Sequence, residues 1–271
     1  MTAVLAVYAV ELRKLRAQWT VRFVLPVLAL GPWLFIALIK HQERLPLETL
    51  YGRFLKTTGF AAPMTTLAFS SAWILPLLAA VVAGDLFSSE DNHGTLKTVL
   101  TRSVTRNALF WGKVLTALTW TIVAVATLAL SALLAGVALV GTEPMETLGG
   151  TMFTKSASLG AVLVSWAICL LPTFGFACLA IAFSIGFRSS VVGVIGAVVV
   201  GFLMQLYAFL NGWDFIRHIL LSTTFFAWHG VIDRPAYYDP LVRGAIVSSV
   251  YVLAALAISY VLFSRRDVAG G

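Results

Sequence analysis

The side chains able to do chemistry are gathered between Gly84 and Lys113, a stretch reading GDLFSSEDNHGTLKTVLTRSVTRNALFWGK between two long apolar runs. Glu90, Asp91, His93, Lys97, Arg102, Arg106 and Lys113 fall together there, while both flanks are hydrocarbon. Their order makes mechanical sense. Gly84 is expected to end the preceding helix, and Ser88 or Ser89 to cap a short helix whose first turn holds Glu90 and Asp91, as the helix dipole favours. Gly94 then permits a bend. Leu96, Val99 and Leu100 give a short apolar stripe beside Lys97, and Thr105 is placed to cap the next helix. Two uses fit such a segment: a solvated basic loop at a membrane face, or a grip on something outside the membrane.

Other chemistry is sparse. The chain has no G-x-x-x-x-G-K-[ST] phosphate loop. Gly112-Lys113 comes nearest, but Val114 stands where Ser or Thr should be, so the pair predicts a helix start with a basic anchor. Asp214 and His218 lie one helical turn apart with His229 further on, which makes a hydrolytic or metal site on the outer face conceivable. No Ser or Cys nucleophile pattern accompanies them, and interfacial helices commonly carry such residues. Cys169 and Cys178 would lie roughly 13 Å apart along one helix, too far for a disulfide, and read as packing residues.

The elements that must position these groups follow from composition. With 271 residues, 59% hydrophobic and 11% charged, and a mean hydropathy of +0.92, the chain cannot hide its apolar surface in one soluble core. It reads as an all-α polytopic membrane protein. Six runs are long enough to span: Phe23 to Ile39, Thr66 to Ala83, Val114 to Val140, Ala157 to Phe183, Val191 to Leu210 and Ala245 to Phe263. Arg22 and Lys40 flank the first and can snorkel to the two interfaces. That run is not read as a cleavable signal, because no small-x-small site follows Ile39 and five spans would remain unexplained.

None of these spans as drawn contains Asp, Glu, Lys, Arg or His, and Gln205 is the one strongly polar side chain deep within them. Gln205 is thus the sole candidate substrate contact. Uphill transport by such a chain would draw its energy from another component.

Residues 2 to 19 carry Leu5, Tyr8, Leu12, Leu15 and Trp19 at helical spacing, with Glu11, Arg13, Lys14 and Arg16 between them. This predicts an amphipathic helix lying in the membrane interface, its basic face toward headgroups or an acidic partner. His41 to Thr65 is expected to be partly ordered loop, and Glu143-Pro144 and Gly149-Gly150 mark a turn. Arg188 sits in a gap so short that it forces a tight helical hairpin. Residues 211–242 alternate apolar and polar groups, and predict a re-entrant or interfacial helical pair on the outer side. Gly193, Ala197 and Gly201 repeat every four residues and predict close helix packing. Pro26, Pro32, Pro76 and Pro172 are candidate kinks. Lys and Arg placement favours cytoplasmic termini, although Lys40, Arg44, Arg53 and Lys56 in the first outer loop run against it.

The run Glu90-Asp91-Asn92-His93-Gly94-Thr95-Leu96-Lys97, then Leu100, Thr101-Arg102-Ser103-Val104-Thr105-Arg106 and Gly112-Lys113, resembles the region between the second and third spans of type-2 ABC exporter permeases. Ser103 stands where that family often has Pro, and Thr98-Val99 softens its aliphatic run. The resemblance implies a single permease domain over 1–271, with an interface helix at 1–20, a cytoplasmic coupling region at 84–113 and short outer helices at 211–242. It implies a subunit that is not itself an enzyme and holds no cofactor, ATP and Mg being bound by two copies of a partner ATPase. A second permease protomer, identical or related, and the lipid bilayer would complete the assembly, with no nucleic acid. Glu90, Gly94, Thr95 and Lys97 would lie in the coupling helix, with Asp91, His93, Leu96, Arg102 and Arg106 alongside. Glu11, Arg13, Lys14 and Arg16 would lie in the interface helix. The implied location is the inner membrane, multi-pass, with both termini cytoplasmic. The competing readings are an outer-face enzyme using Asp214, His218 and His229, and a non-transporting immunity or sensor protein.

Overall fold

Apolar runs of this length fold as helices because lipid offers no partner for backbone N–H and C=O groups. The computed structural model describes residues 2–41, 51–92, 105–147, 149–210, 213–233 and 235–265. Among them the regular elements are helical, with one isolated antiparallel bridge between Glu146 and Met152. The helices are α1 (Thr2–Ala17), α2 (Trp19–His41), α3 (Ala61–Ala72), α4 (Ile74–Asn92), α5 (Arg106–Leu139), α6 (Lys155–Phe187), α7 (Ser190–Phe209), α8 (Asp214–Ile219), α9 (His229–Ile232) and α10 (Asp239–Ser264). Short 3-10 segments cover Gly52–Phe54 and Leu221–Trp228. Helices α2, α5, α6, α7 and α10 are long and apolar enough to cross a membrane, and α3 with α4 adds a sixth candidate if the bent pair is one span.

The second apolar run is where the structure departs most from expectation. It is not straight but broken at Trp73, where α3 and α4 meet at 57°. Pro76 explains the position, since it has no N–H to give the Ala72 carbonyl and its ring crowds that carbonyl; as a first-turn residue of α4 it does neither harm. The helix also begins earlier than the loop boundary suggested, with Ala61 to Thr65 all buried. At the bend a cavity of about 390 Å³ opens, lined by Gly31, Pro32, Phe35, Phe69, Ile74 and Leu128 among others.

At its other end α4 runs through Gly84 to Asn92 instead of stopping. Gly84 is there for proximity: a Cβ would lie 2.9 Å from the Val194 backbone nitrogen and 3.0 Å from the Gly193 carbonyl carbon. Ser88 is correspondingly not a cap. Its hydroxyl sits mid-helix, 3.0 Å from the Gly84 carbonyl.

Helix α5 has 34 residues, roughly 50 Å at 1.5 Å per residue against a hydrocarbon core of ~30 Å, so it projects well beyond the bilayer. Its first turn is capped by Thr105, whose hydroxyl accepts from the Ala108 amide at 3.2 Å. Helix α6 is the hub, packed on α4, α5, α7 and α10. It ends at Arg188, which adopts the left-handed conformation (φ 52°, ψ 36°), and Ser189 caps α7 at once. The hairpin is as tight as the short gap required.

Gly193, Ala197 and Gly201 are the buried residues of α7, set against Gly84, Ser184 and Phe176. Cys169 and Cys178 are both buried and reduced within α6. The segments before α3 and after α5 are also knit together. Tyr51 donates to the Glu146 carbonyl (3.2 Å), Thr58 donates to the Glu143 carbonyl, and Lys40 donates to the Leu139 carbonyl at the end of α5 (2.9 Å). Among the described residues between α7 and α10 the helices are short, and Leu221, Phe225 and Trp228 bury themselves against α6 and α10.

Candidate functional site

A cationic helix lying on the membrane was expected to turn Glu11, Arg13, Lys14 and Arg16 away from the protein. Three of them do so. Glu11 does not: its residue spacing from Leu15 and Tyr8 places it on the face that packs on α5, where Val7 lies over Gly112 and Tyr8 hydrogen-bonds Thr119 at 3.0 Å. The apolar stripe is correspondingly rotated, with Leu15 buried while Leu5 and Trp19 are exposed.

Lys113 meets Glu11 from α5. Its side chain is 1% exposed, and Nζ donates to Glu11 Oε2 at 3.2 Å and to the Leu86 carbonyl of α4 at 2.6 Å. Phe87 lies with its ring centroid 5.8 Å from Nζ. Lys14, half-exposed, donates to the other Glu11 oxygen at 2.7 Å. Three elements are therefore joined at one point: the N-terminal helix, the late turns of α4 and the early turns of α5. The expectation that Lys113 is a simple basic anchor at a helix start is corrected here, because α5 begins at Arg106 and buries Lys113 within it. A buried ammonium without its carboxylate is expensive, so this junction resists being pulled apart.

A second polar cluster lies between α4 and α7. Ser190 donates to Asp85 Oδ1 at 2.8 Å, Ser88 and Ser190 are 2.7 Å apart, and Ser184 donates to Ser88 at 3.1 Å. Asp85 lies just past the point where Gly84 was expected to end the helix, but α4 carries it as a helical residue. Neither Asp85 nor Lys113 was identified as a site residue from sequence. The signal available was weak: a charged residue within one turn of an apolar run, with partners about a hundred positions away.

Of the expected coupling residues, Glu90 and Asp91 fall in the last turns of α4. His93, Gly94, Thr95, Leu96, Lys97 and Arg102 lie outside the described residues. Arg106 is the first residue of α5 and donates from Nη1 to the Ser264 carbonyl at 2.9 Å, satisfying a terminal carbonyl of α10. Gln205 is half-buried on α7.

Asp214, His218 and His229 do not assemble. Asp214 is exposed and pairs with Arg217 at 3.6 Å, not with His218. His229 is packed edge-on against Trp228, with centroids 4.1 Å apart, and burial pushes its pKa below the ordinary value. Among the described residues no group of three His, Cys, Asp or Glu side chains converges as metal ligands would.

A family model described as ABC-2 family transporter protein matches residues 8–204, from α1 to the last turns of α7, and so takes in Glu11, Asp85 and Lys113. No curated protein matches the chain. With that match over most of its length and its apolar helices, the chain belongs to the ABC-2 transporter family, the membrane permeases of ABC transporters.

Proposed function

We propose that this protein is the permease of an ATP-driven exporter, working as a pair of protomers on two copies of a separate ATPase. It would lie in the inner membrane with six spans, the bent α3–α4 pair counting as the second, and with both termini cytoplasmic. The observation that carries this reading is the buried Glu11–Lys113–Leu86 junction, which makes the N-terminal helix, the end of α4 and the start of α5 one mechanical unit. The run from Glu90 to Lys97 continues directly from that unit. A push delivered there by ATP-driven closure of the ATPase pair reaches α1 and α5 together. The bend at Trp73 then supplies the pivot, since α4 can swing about it without dragging α3, over an arm of roughly 28 Å for its 19 residues.

The test is isolation of the tagged full chain from its native host. An ATPase should copurify, and deleting Gly94 to Lys97 should leave the chain in the membrane while abolishing its effect on hydrolysis. Copurification of no ATPase would count against the proposal, as would unchanged regulation of ATP turnover by the deletion variant. Retention of an ATPase without any response to the permease would instead favour the immunity or sensor reading.

A further inference from the structure

The cluster around Asp85 opens into a cavity of about 430 Å³ on the side of α4 that faces α7. Its lining includes Gln18, Thr20, Asp85, Ser190, Val194 and Ile195. Gln18 sits in the single-residue break between α1 and α2, so the cavity borders the same N-terminal helix that Glu11 ties to α5. The size falls within the range of small-molecule sites, and the composition is theirs too: aliphatic walls with a few convergent polar groups.

The hydroxyls are oriented by simple proton counting. Each serine has one proton to give; Ser184 gives its own to Ser88 and Ser190 gives its own to Asp85. The single Ser88 proton faces two acceptors, the Gly84 carbonyl at 3.0 Å and Ser190 at 2.7 Å, while Ser190 turns its own proton to the carboxylate, as an ionised acceptor requires. Among the described residues Ser190 is the one hydrogen-bond partner of Asp85, and no Lys or Arg pairs with it.

Charge then selects the ligand. The N-terminus of α7 contributes about half a positive charge, which offsets only about half of the Asp85 carboxylate. No Lys, Arg or His is among the lining residues. The cavity is therefore net negative and apolar-walled. An inorganic cation would want several oxygen ligands around it, whereas a bulky cation needs one carboxylate and a hydrocarbon wall. A carboxylate on a membrane helix without a basic partner is itself a mark of a ligand pathway.

We propose that this cavity binds amphipathic organic cations, with Asp85 holding the charge and Val194 and Ile195 the apolar body, and that such cations are the substrate class. The substrate part rests on the permease reading; the binding part stands by itself. The probe is tetraphenylphosphonium, with tetraphenylborate as an ion of matching shape and opposite sign, added to the purified full chain without ATPase. Saturable tetraphenylphosphonium binding that tetraphenylborate does not displace is expected. Asp85→Asn, whose amide oxygen still accepts from Ser190, should weaken it at least about tenfold, while Asp85→Glu retains it. Ile195→Trp, which fills the cavity and keeps the carboxylate, should abolish binding and provides the check if the Asp85 variant fails to fold. Equal affinity for the two probes, or unchanged affinity in either Asp85→Asn or Ile195→Trp, overturns the proposal. A chain that binds the cation but recruits no ATPase keeps the site and loses the permease reading; one that regulates an ATPase but ignores the cation does the reverse.

Discussion

Removing the Glu11 carboxylate should be more damaging than removing the Lys113 amine, and removing both should be milder than removing Glu11 alone. In Glu11→Ala, Lys113 keeps the neutral Leu86 carbonyl at 2.6 Å but loses the Glu11 carboxylate. Taking one partner from a buried ion pair costs about 3–5 kcal/mol. In Lys113→Met the situation is different, because Glu11 keeps Lys14 at 2.7 Å. There the main loss is a donor to the Leu86 carbonyl, about 1–3 kcal/mol. The Glu11→Ala/Lys113→Met double variant removes both members of the buried pair, so the cycle should give a coupling energy close to the Glu11→Ala loss itself, about 3–5 kcal/mol. The readout is the apparent melting midpoint of the detergent-solubilised chain, followed as the monodisperse fraction remaining after heating. At roughly 2–4 °C per kcal/mol for a chain of this size, Glu11→Ala should melt on the order of 10 °C lower, with Lys113→Met and the double variant near half that loss. Additive losses in the double variant, or a Lys113→Met loss as large as that of Glu11→Ala, would refute the reasoning.

Gly84→Ala should destabilise by about 1–3 kcal/mol, because its new Cβ meets the backbone of Gly193 and Val194, which cannot rotate away; the same melting assay reads it. Thr105→Ala removes the hydroxyl that accepts from Ala108 and should cost about 1 kcal/mol, with Thr105→Asp holding near wild type. Burial lowers the His229 pKa below the ordinary histidine value of about 6.5, so the unfolded chain takes up the proton first as pH falls. Stability is therefore full above about pH 6.5 and declines below it until the folded pKa is reached, a decline that His229→Gln should remove from the pH dependence of the melting midpoint.

Hydropathy found the long apolar helices because a bilayer imposes length and apolarity on each one separately, and both can be counted along the chain. Local chemistry was legible for the same reason: Thr105 caps α5 three residues from its donor, and Arg188 had too few neighbours for anything but a tight turn. Small residues at a four-residue repeat on α7 were another local signal, and the close approach of Gly84 is its other half. Glu11 and Lys113 were not legible as partners, since the two charges are 102 positions apart and each looks like an ordinary interfacial residue. Asp85 was hidden by reading Gly84 as a stop. A glycine on a membrane helix serves close packing as readily as termination, and only the facing glycine of α7 distinguishes the two. The bend at Trp73 had its cause in view at Pro76, but proline alone leaves open whether a helix kinks or breaks.

Energy from ATP is proposed to enter through the Glu90 to Lys97 run. With Lys97→Cys in otherwise unchanged chain, where both native cysteines are buried, a short bifunctional thiol–amine reagent applied to native membranes should give an ATPase adduct whose yield changes when ATP is added. Absence of an adduct, or crosslinking to the ATPase only from a cysteine placed at Lys155 at the start of α6, would contradict it.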